Sequence, residues 1–194
     1  MQILFRSTLI GLALIVAGCA RPPLVPQAPS KSRVCCQSWN DIPVEPLSFE
    51  ETKSVSFNAE TSPVFSFPEG NGVFAAYALP SSAEGASLQV RAFVSGGPIL
   101  SMVTIFRPNA VFLDAARDPL PGPREAPLIT RIGRLALRMS KIATYTVPSQ
   151  ARYVVVYSGS PLSMRSTIAS ENGTIWGVPY SYTGDVDITL KAAQ

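Results

Sequence analysis

The side chains that could carry out chemistry are limited by what the chain lacks. Its 194 residues include three cysteines, Cys19, Cys35 and Cys36, and no histidine. Without an imidazole, the chain has no Ser-His-Asp or Cys-His catalytic pair and no zinc or copper site with histidine ligands. Once Cys19 is assigned to lipid attachment, as argued below, Cys35 and Cys36 have no third sulfur or imidazole beside them and make a poor metal site. We therefore expect no metal and no other cofactor.

Other catalytic patterns are missing as well. The sequence has no Gly-x-Ser-x-Gly, no Ser-x-x-Lys and no P-loop. Paired carboxylates hydrolyse glycosides without histidine, and the candidate pairs are Glu50 with Glu51, Asp114 with Asp118, and Asp185 with Asp187. The last pair lies two residues apart in an alternating segment, on the polar face of a predicted strand. Asp114 has the setting of a turn residue. We predict that the protein is not an enzyme.

The clearest chemical signal in the sequence is acylation of Cys19. Met1–Cys19 contains one charge, Arg6, followed by an apolar run that is too short to cross a bilayer and typical of an export signal. The run ends in Val16-Ala17-Gly18-Cys19, which resembles a bacterial lipobox, in which the cysteine sulfur receives a diacylglycerol. This resemblance implies that residues 1–18 are removed and that two or three acyl chains anchor the mature protein.

The residues after Cys19 predict where the protein is anchored. Ala20 stands where an aspartate retains enteric lipoproteins in the inner membrane, so we expect the outer membrane and a periplasm-facing domain. Residues 20–34 contain prolines at positions 22, 23, 26 and 29, which favour an extended spacer of roughly 45 Å. We expect a tether over residues 19–34 and a folded domain over residues 35–194.

Cys35 and Cys36 are adjacent, and their pairing is left open by the sequence. Adjacent cysteines close only a small strained ring, because trans neighbours have their Cα atoms nearer together than in most disulfides. Three arrangements are compatible with an oxidising compartment: a disulfide between the two, bridges to another chain, or two free thiols packed against the domain.

The remainder of the chain is typical of β structure. Apolar residues that alternate or run continuously predict strands at 55–57, 64–67, 87–94, 135–139, 152–157 and 184–191. Helical periodicity is weak, and a single helical turn is predicted over residues 160–167, where Ser160-Pro161 resembles an N-cap followed by proline. These elements predict one antiparallel β-sandwich or jelly roll.

One internal repeat divides this domain. Residues 75–83 (AAYALPSSA) match residues 143–151 (ATYTVPSQA) at an offset of 68 positions. In each copy a predicted strand with a tyrosine stops at proline, which cannot donate to a β-ladder. The repeat is either a common β-corner used twice or the sign of a sandwich with two pseudo-symmetric halves.

Aromatic residues near the C-terminus form the best candidate binding site. Trp176, Tyr180 and Tyr182 lie in a segment with Gly177, Pro179 and Gly184. Flat rings on such a loop would stack on sugar faces. The alternative is that these rings cover the open end of the sandwich.

Several segments, in order and spacing, resemble the maltose operon periplasmic protein family over roughly residues 35–194. They are Gly72-Val73-Phe74-Ala75-Ala76-Tyr77-Ala78-Leu79-Pro80-Ser81, Leu88-Gln89-Val90, Arg107-Pro108-Asn109-Ala110-Val111-Phe112-Leu113-Asp114, the closing Gly177-Val178-Pro179 with Gly184 and Ile188-Thr189-Leu190, and Cys35-Cys36 with Trp39 and Pro43. The chain departs from the family in having only Tyr180–Thr183 where the family has a longer Pro/Asp-rich segment. It also has a lipobox where some relatives have an ordinary secretion signal.

The resemblance implies a periplasmic, non-enzymatic accessory to carbohydrate uptake of the maltose or maltodextrin type, with no catalytic residues to carry over. The expected partners are outer-membrane lipid through the acyl anchor, a sugar porin or other envelope protein, and a glucan. Nucleic acid is not expected, because the net charge is only +3 and no dense basic run occurs. The alternative function is a structural or assembly lipoprotein that docks a porin or another envelope complex.

Overall fold

A computed structural model describes residues 26, 28–96, 103–131, 139–159, 165–169 and 175–193. These residues form thirteen β-strands and two short 3₁₀ turns, at Lys31–Arg33 and Trp39–Asp41. The strands are β1 (Glu45–Pro46), β2 (Thr52–Phe57), β3 (Val64–Phe67), β4 (Gly70–Ala78), β5 (Ser87–Gly96), β6 (Val103–Phe106), β7 (Pro108–Leu113), β8 (Ile129–Arg131), β9 (Ser140–Thr146), β10 (Tyr153–Ser158), β11 (Arg165–Ala169), β12 (Ile175–Ser181) and β13 (Gly184–Lys191). Within the described ranges, no helix is long and apolar enough to span a bilayer.

The strands form two stacked sheets, so the predicted β-sandwich is confirmed. The smaller sheet has five strands in the order β1-β4-β10-β7, with β3 also paired to β4. The larger sheet has eight strands, and β5 is at its centre. β5 pairs along opposite edges with β13 and β9, and its last residues pair with β6. Pairing is antiparallel except between β1 and β4 and between β12 and β6.

The main core lies between the sheets and follows the alternation seen in the sequence. Leu88, Val90 and Ala92 of β5 are fully buried, as are the Val186, Ile188 and Leu190 side chains of β13. Successive side chains of a strand point to opposite faces, so these residues meet Val154 and Val156 of the smaller sheet in one apolar cluster. The alternation predicted within residues 87–94 and 184–191 is thus seen in the burial of both strands.

The two copies of the internal repeat form equivalent corners between the sheets. Each strand ends two residues before a proline. The Pro80 and Pro148 carbonyl oxygens accept the N–H of the alanine three residues later, at 3.0 and 3.1 Å. Tyr77 and Tyr145 are both buried in the main core. The chain passes from β4 to β5 through the first corner and from β9 to β10 through the second.

Each corner is also hydrogen-bonded to the other. The Leu79 N–H donates to the Arg152 carbonyl at 2.8 Å, and the Val147 N–H donates to the Ala86 carbonyl at 2.9 Å. Because β4 pairs with β10 and β5 pairs with β9, the halves are related as the pseudo-symmetric interpretation requires. Both corners lie at one end of the sandwich, hereafter the corner end. The opposite end, where β4 begins and β5 ends, is the far end.

Two secondary-structure predictions have other outcomes. The helical turn predicted over residues 160–167 is wrong from Arg165 onward, because Arg165–Ala169 form β11, which pairs with β12. Residues 160–164 lie outside the described ranges. Of the strand predicted at 135–139, only Met139 is described, and it precedes β9.

Candidate functional site

The outer face of the smaller sheet is apolar and is covered by the N-terminal segment of the domain. Its buried residues form a second cluster that comprises Phe65, Phe67, Phe74, Ala76, Val111, Leu113, Val155 and Tyr157. Cys36 and Ile42 are buried in the same cluster, and Trp39 and Val44 pack against it. The Trp39 ring lies 4.6 Å from the Phe65 ring and 5.9 Å from the Phe67 ring, measured between centroids. Residues 35–44 therefore make a third layer, hereafter the N-terminal layer.

Cys35 and Cys36 are joined to each other by a disulfide bond in this layer. Cys36 is buried, whereas Cys35 is exposed. The Cys35 N–H donates to the Val64 carbonyl of β3 at 2.9 Å, which fixes the ring against the smaller sheet. This is the first of the three arrangements that the sequence leaves open.

Arg117 fastens the other end of the N-terminal layer. Its Nη1 atom donates to the carbonyl oxygens of Asn40 at 2.9 Å and Ile42 at 2.7 Å, with a longer contact to Trp39 at 3.4 Å. The guanidinium also lies 4.9 Å from the centre of the Tyr153 ring. The backbone of Arg117 has φ +65°, a left-handed conformation that is costly for a residue with a Cβ.

Asp114 builds the turn that presents Arg117. Its Oδ1 atom accepts the backbone N–H groups of Ala116 at 2.8 Å and Asp118 at 2.9 Å. The predicted turn role of Asp114 is thus confirmed. Within the layer itself, hydrogen bonds from Ser38 lower the pKa of Asp41 at the 3₁₀ turn.

The packed domain begins earlier than the predicted boundary at Cys35. The Asn71 amide donates to the Pro29 carbonyl at 3.4 Å, and Pro29 is buried. The Arg33 guanidinium donates to the carbonyls of Ala59 and Ser62. Residues 29–34, which the sequence assigned to the proline-rich tether, therefore pack on the sandwich. The prediction of an extended spacer therefore remains only for residues 20–28, which would reach roughly 28 Å if extended. Cys19 lies outside the described residues.

The predicted aromatic stacking site is not present as a loop. Residues 175–181 are strand β12, and Tyr180 and Tyr182 are 9% and 4% exposed. Trp176 is in β12 with its Cα opposite Ile168, and its side chain is outside the description. The prediction that Tyr180 and Tyr182 form a ligand platform is therefore wrong. Pro179 favoured a loop in the sequence, but proline is accepted in an edge region of a sheet, and here it lies within β12.

Tyr180 instead packs in the domain beside an ion pair between a buried arginine and an exposed glutamate. The Arg107 side chain is 10% exposed, and its Nη2 atom lies 2.7 Å from Glu125 Oε1. The guanidinium carbon lies 5.6 Å from the centre of the Tyr180 ring. A cavity of about 170 Å³ is lined by these three side chains and by Pro108, Asn109, Ala126 and Leu128.

The outer face of the larger sheet carries the most organised set of polar side chains. Across the β2–β13 pair, the hydroxyls of Ser54 and Ser56 donate to the carboxylates of Asp187 and Asp185, at 2.7 and 2.8 Å. One row further along, the Thr52 and Thr189 hydroxyls lie 2.9 Å apart. The neighbouring strand β5 places Gln89 opposite Thr189 and Arg91 opposite Asp187.

A shallow groove of about 220 Å³ runs over this face, hereafter the polar groove. It is lined by Glu50, Thr52, Gln89, Arg91, Ile142, Asp187, Thr189 and Lys191. Arg91 and Lys191 supply donors, Glu50 and Asp187 supply acceptors, and Gln89 with the two threonines supplies both. Glu50 has φ +60°, and strained residues of this kind concentrate at functional sites.

Sequence reasoning assigned Asp185 and Asp187 to a polar strand face, which is confirmed, but it missed their partners. The Ser54–Asp187 contact joins residues 133 positions apart and depends on the β2–β13 register, for which the sequence contains no local signal. Among the described residues, no group of three or more cysteines and carboxylates is placed to hold a metal ion.

Comparisons with known proteins identify no relative. No family model matches the chain. Neither a curated protein nor a solved structure is significantly similar to it.

Proposed function

We propose that the protein is an outer-membrane lipoprotein whose β-sandwich acts in the periplasm as a non-enzymatic accessory to carbohydrate uptake, and that it binds a glucan in the polar groove. The observation that supports this proposal is the polar groove itself, in which donors and acceptors lie together, most of them on the paired strands β2, β5 and β13. The lipobox at Cys19 and the resemblance to the maltose operon periplasmic protein family support the location and the ligand class.

The groove suits a ligand with many hydroxyl groups. A sugar hydroxyl both donates and accepts, so it is satisfied only where both kinds of group are near. Arg91 and Asp187 are cross-strand neighbours that offer a donor beside an acceptor. Ser54 holds one oxygen of Asp187, which fixes the carboxylate before a ligand arrives, and such preorganisation lowers the cost of binding. Because the groove is shallow, we expect weak binding, with a Kd of roughly 0.1–1 mM.

Calorimetry tests the ligand. Maltodextrins titrated into the protein should release heat, and Arg91→Ala and Asp187→Asn should each weaken binding by about tenfold, the loss expected for a charge-assisted hydrogen bond. Asp185→Asn is the matched control, because Asp185 makes the same serine contact outside the set that lines the groove. No heat across several glucans would remove the sugar-binding part of the proposal.

The anchor is tested separately. Cells that express the protein should incorporate labelled palmitate into it, and Cys19→Ala should abolish the labelling and leave residues 1–18 attached. Labelling that survives in the Cys19→Ala variant would overturn the lipoprotein assignment. Intact mass before and after reduction checks the Cys35–Cys36 bond in the same preparation, since closing the disulfide removes two hydrogens.

A further inference from the structure

The outer edge of β2 is a strand edge that no described segment of the chain covers. The larger sheet ends at β2, whose other edge pairs with β13. By contrast, the edge of β7 is covered by the segment that follows it, since the Leu120 N–H donates to the Phe112 carbonyl at 2.8 Å. The edge of β9 is covered by β8 along residues 140–142. An open edge such as that of β2 is a template for pairing with another strand.

The sandwich is also open between its sheets on the β2 side. A cavity of about 420 Å³ is lined by residues 53–57 of β2 and residues 74–77 of β4. Tyr77 in this lining is 3% exposed, and its hydroxyl has no hydrogen-bond partner in the described part of the chain. Tyr145, its counterpart in the repeat, donates to the Pro108 carbonyl at 2.9 Å. The β2 side therefore lacks the cover that the β7 side has.

The hydrogen-bond pattern identifies the backbone groups of β2 that face the open edge. In an antiparallel strand, the N–H and C=O of one residue point to one edge and those of the next residue to the other. The Val94 N–H of β5 donates to Met139, just before β9, so the odd-numbered residues of β5 face β13. The register then directs the even-numbered residues of β13 to β2, and the odd-numbered residues of β2 to β13. Thr52, Ser54 and Ser56 therefore present their backbone groups at the open edge.

These three residues are their own complement in an antiparallel pair. With Ser54 on a twofold axis, Thr52 of one copy is opposite Ser56 of the other, and Ser54 is opposite itself. All of the outward backbone groups are then matched, in about six N–H···O=C bonds. A surface that complements itself in this way is the requirement for a twofold dimer.

The charges beside the edge select this register. Lys53 is ion-paired with Glu51 at 2.6 Å. With the axis at Ser54, each Lys53 is opposite Val55 of the second copy. An axis at Lys53 would instead oppose two ammonium groups directly, which is destabilising.

We propose that two copies of the chain pair through β2 as an antiparallel dimer, in which the two larger sheets become one. Because Asp187 is opposite Ser54 and Arg91 is opposite Asp187, one row of polar side chains crosses the axis. The two Asp187 residues are three strand spacings apart, roughly 14 Å. The two polar grooves then share one face, on which a long glucan contacts both copies. This last consequence rests on the glucan-binding proposal, whereas the pairing itself does not.

Cross-linking at the axis tests the pairing in the full-length protein, kept in a mild detergent. With Cys19 acylated and Cys35 bonded to Cys36, Ser54→Cys adds one thiol opposite its own copy. The Cα atoms of a hydrogen-bonded pair are about 5.5 Å apart, a separation that a disulfide accepts. Ser82→Cys is the matched control, because Ser82 is exposed in the corner between β4 and β5. The parent protein reports any cross-link through Cys19. Each protein is oxidised with copper phenanthroline, and the covalent dimer is followed by non-reducing electrophoresis.

Ser54→Cys should form the dimer at least about tenfold faster than Ser82→Cys. Adding Ser56→Pro, which removes one outward N–H, should abolish this advantage. Adding Ser56→Ala, which removes only the hydroxyl bonded to Asp185, should preserve it. Equal rates at positions 54 and 82 would overturn the dimer, and this comparison holds even if the proline variant is less stable.

Two other results would also overturn the dimer. The first is an advantage at position 54 that Ser56→Pro leaves unchanged in a folded protein, because the contact would then not use the β2 edge. The second is an advantage that appears only when another envelope protein is added, because the edge would then bind that protein.

Discussion

Replacing Arg117 by alanine should release the N-terminal layer without unfolding the sandwich. The variant loses the hydrogen bonds at 2.9 and 2.7 Å to Asn40 and Ile42 and the contact with the Tyr153 ring. Charge-assisted bonds contribute about 1.5–3 kcal/mol when buried and less when exposed, and the ring contact adds about 0.5–1 kcal/mol. Since these bonds are partly exposed, we expect a loss of about 2–3 kcal/mol in the free energy that holds the layer.

The backbone of Arg117 offers an internal check on this value. The left-handed conformation at position 117 costs about 1–2 kcal/mol for arginine, and about the same for alanine, because both have a Cβ. Arg117→Gly removes both the side-chain contacts with the N-terminal layer and the backbone strain. The glycine variant should therefore be about 1 kcal/mol more stable than the alanine variant.

Hydrogen exchange measured by mass spectrometry is the suitable assay, because it reports local opening. Amides of residues 35–44 should exchange about 30- to 150-fold faster in Arg117→Ala, the equivalent of 2–3 kcal/mol, while β5 and β13 remain protected. Arg124→Ala is the control, because its partly exposed ion pair with Glu69, at 3.3 Å, is worth little. If residues 35–44 of Arg117→Ala exchange within about twofold of the parent protein, Arg117 does not hold the N-terminal layer in place.

Two further changes test the packing. Gly72→Ala should destabilise the protein by about 1–3 kcal/mol, because a Cβ there would lie 2.7 Å from the Ser158 carbonyl oxygen; an unchanged urea midpoint would contradict this. Burial raises the pKa values of Tyr77 and Tyr157 to about 12. The stability that their neutral forms provide is thus complete below about pH 10 and should be lost as the pH rises toward 12. In alkaline unfolding curves, Tyr77→Phe and Tyr157→Phe should each make this loss of stability smaller.

The sequence predicts the strands whose side chains alternate between solvent and the core. β5 and β13 have one buried face, so their burial repeats every second residue, and this period is visible in the sequence. β10 lies between β4 and β7 and is buried on both faces, which explains its continuous valines. The corners were predictable because Pro80 and Pro148 end strands by the same local chemistry.

The features that escape the sequence depend on contacts between distant segments. Ser160-Pro161 favours a local turn, but pairing with β12 makes Arg165 the start of a strand. The partners of the polar groove are set by the β2–β13 register. The extent of the packed N-terminal region depends on Asn71 and Arg117, which are far from it in sequence.

The bonds exchanged between the two corners set an order for the maturation of the chain. The first corner needs the Arg152 carbonyl, and the second corner needs the Ala86 carbonyl, just before β5. A chain that emerges N-terminus first therefore cannot complete the first corner until Arg152 has also emerged. Cooperative folding of the sandwich waits for most of the polypeptide. Until then the edges of β4 and β5 that receive β10 and β13 stay unpaired and available to β-binding chaperones. A protein threaded through a membrane would therefore acquire its protease resistance in one late step.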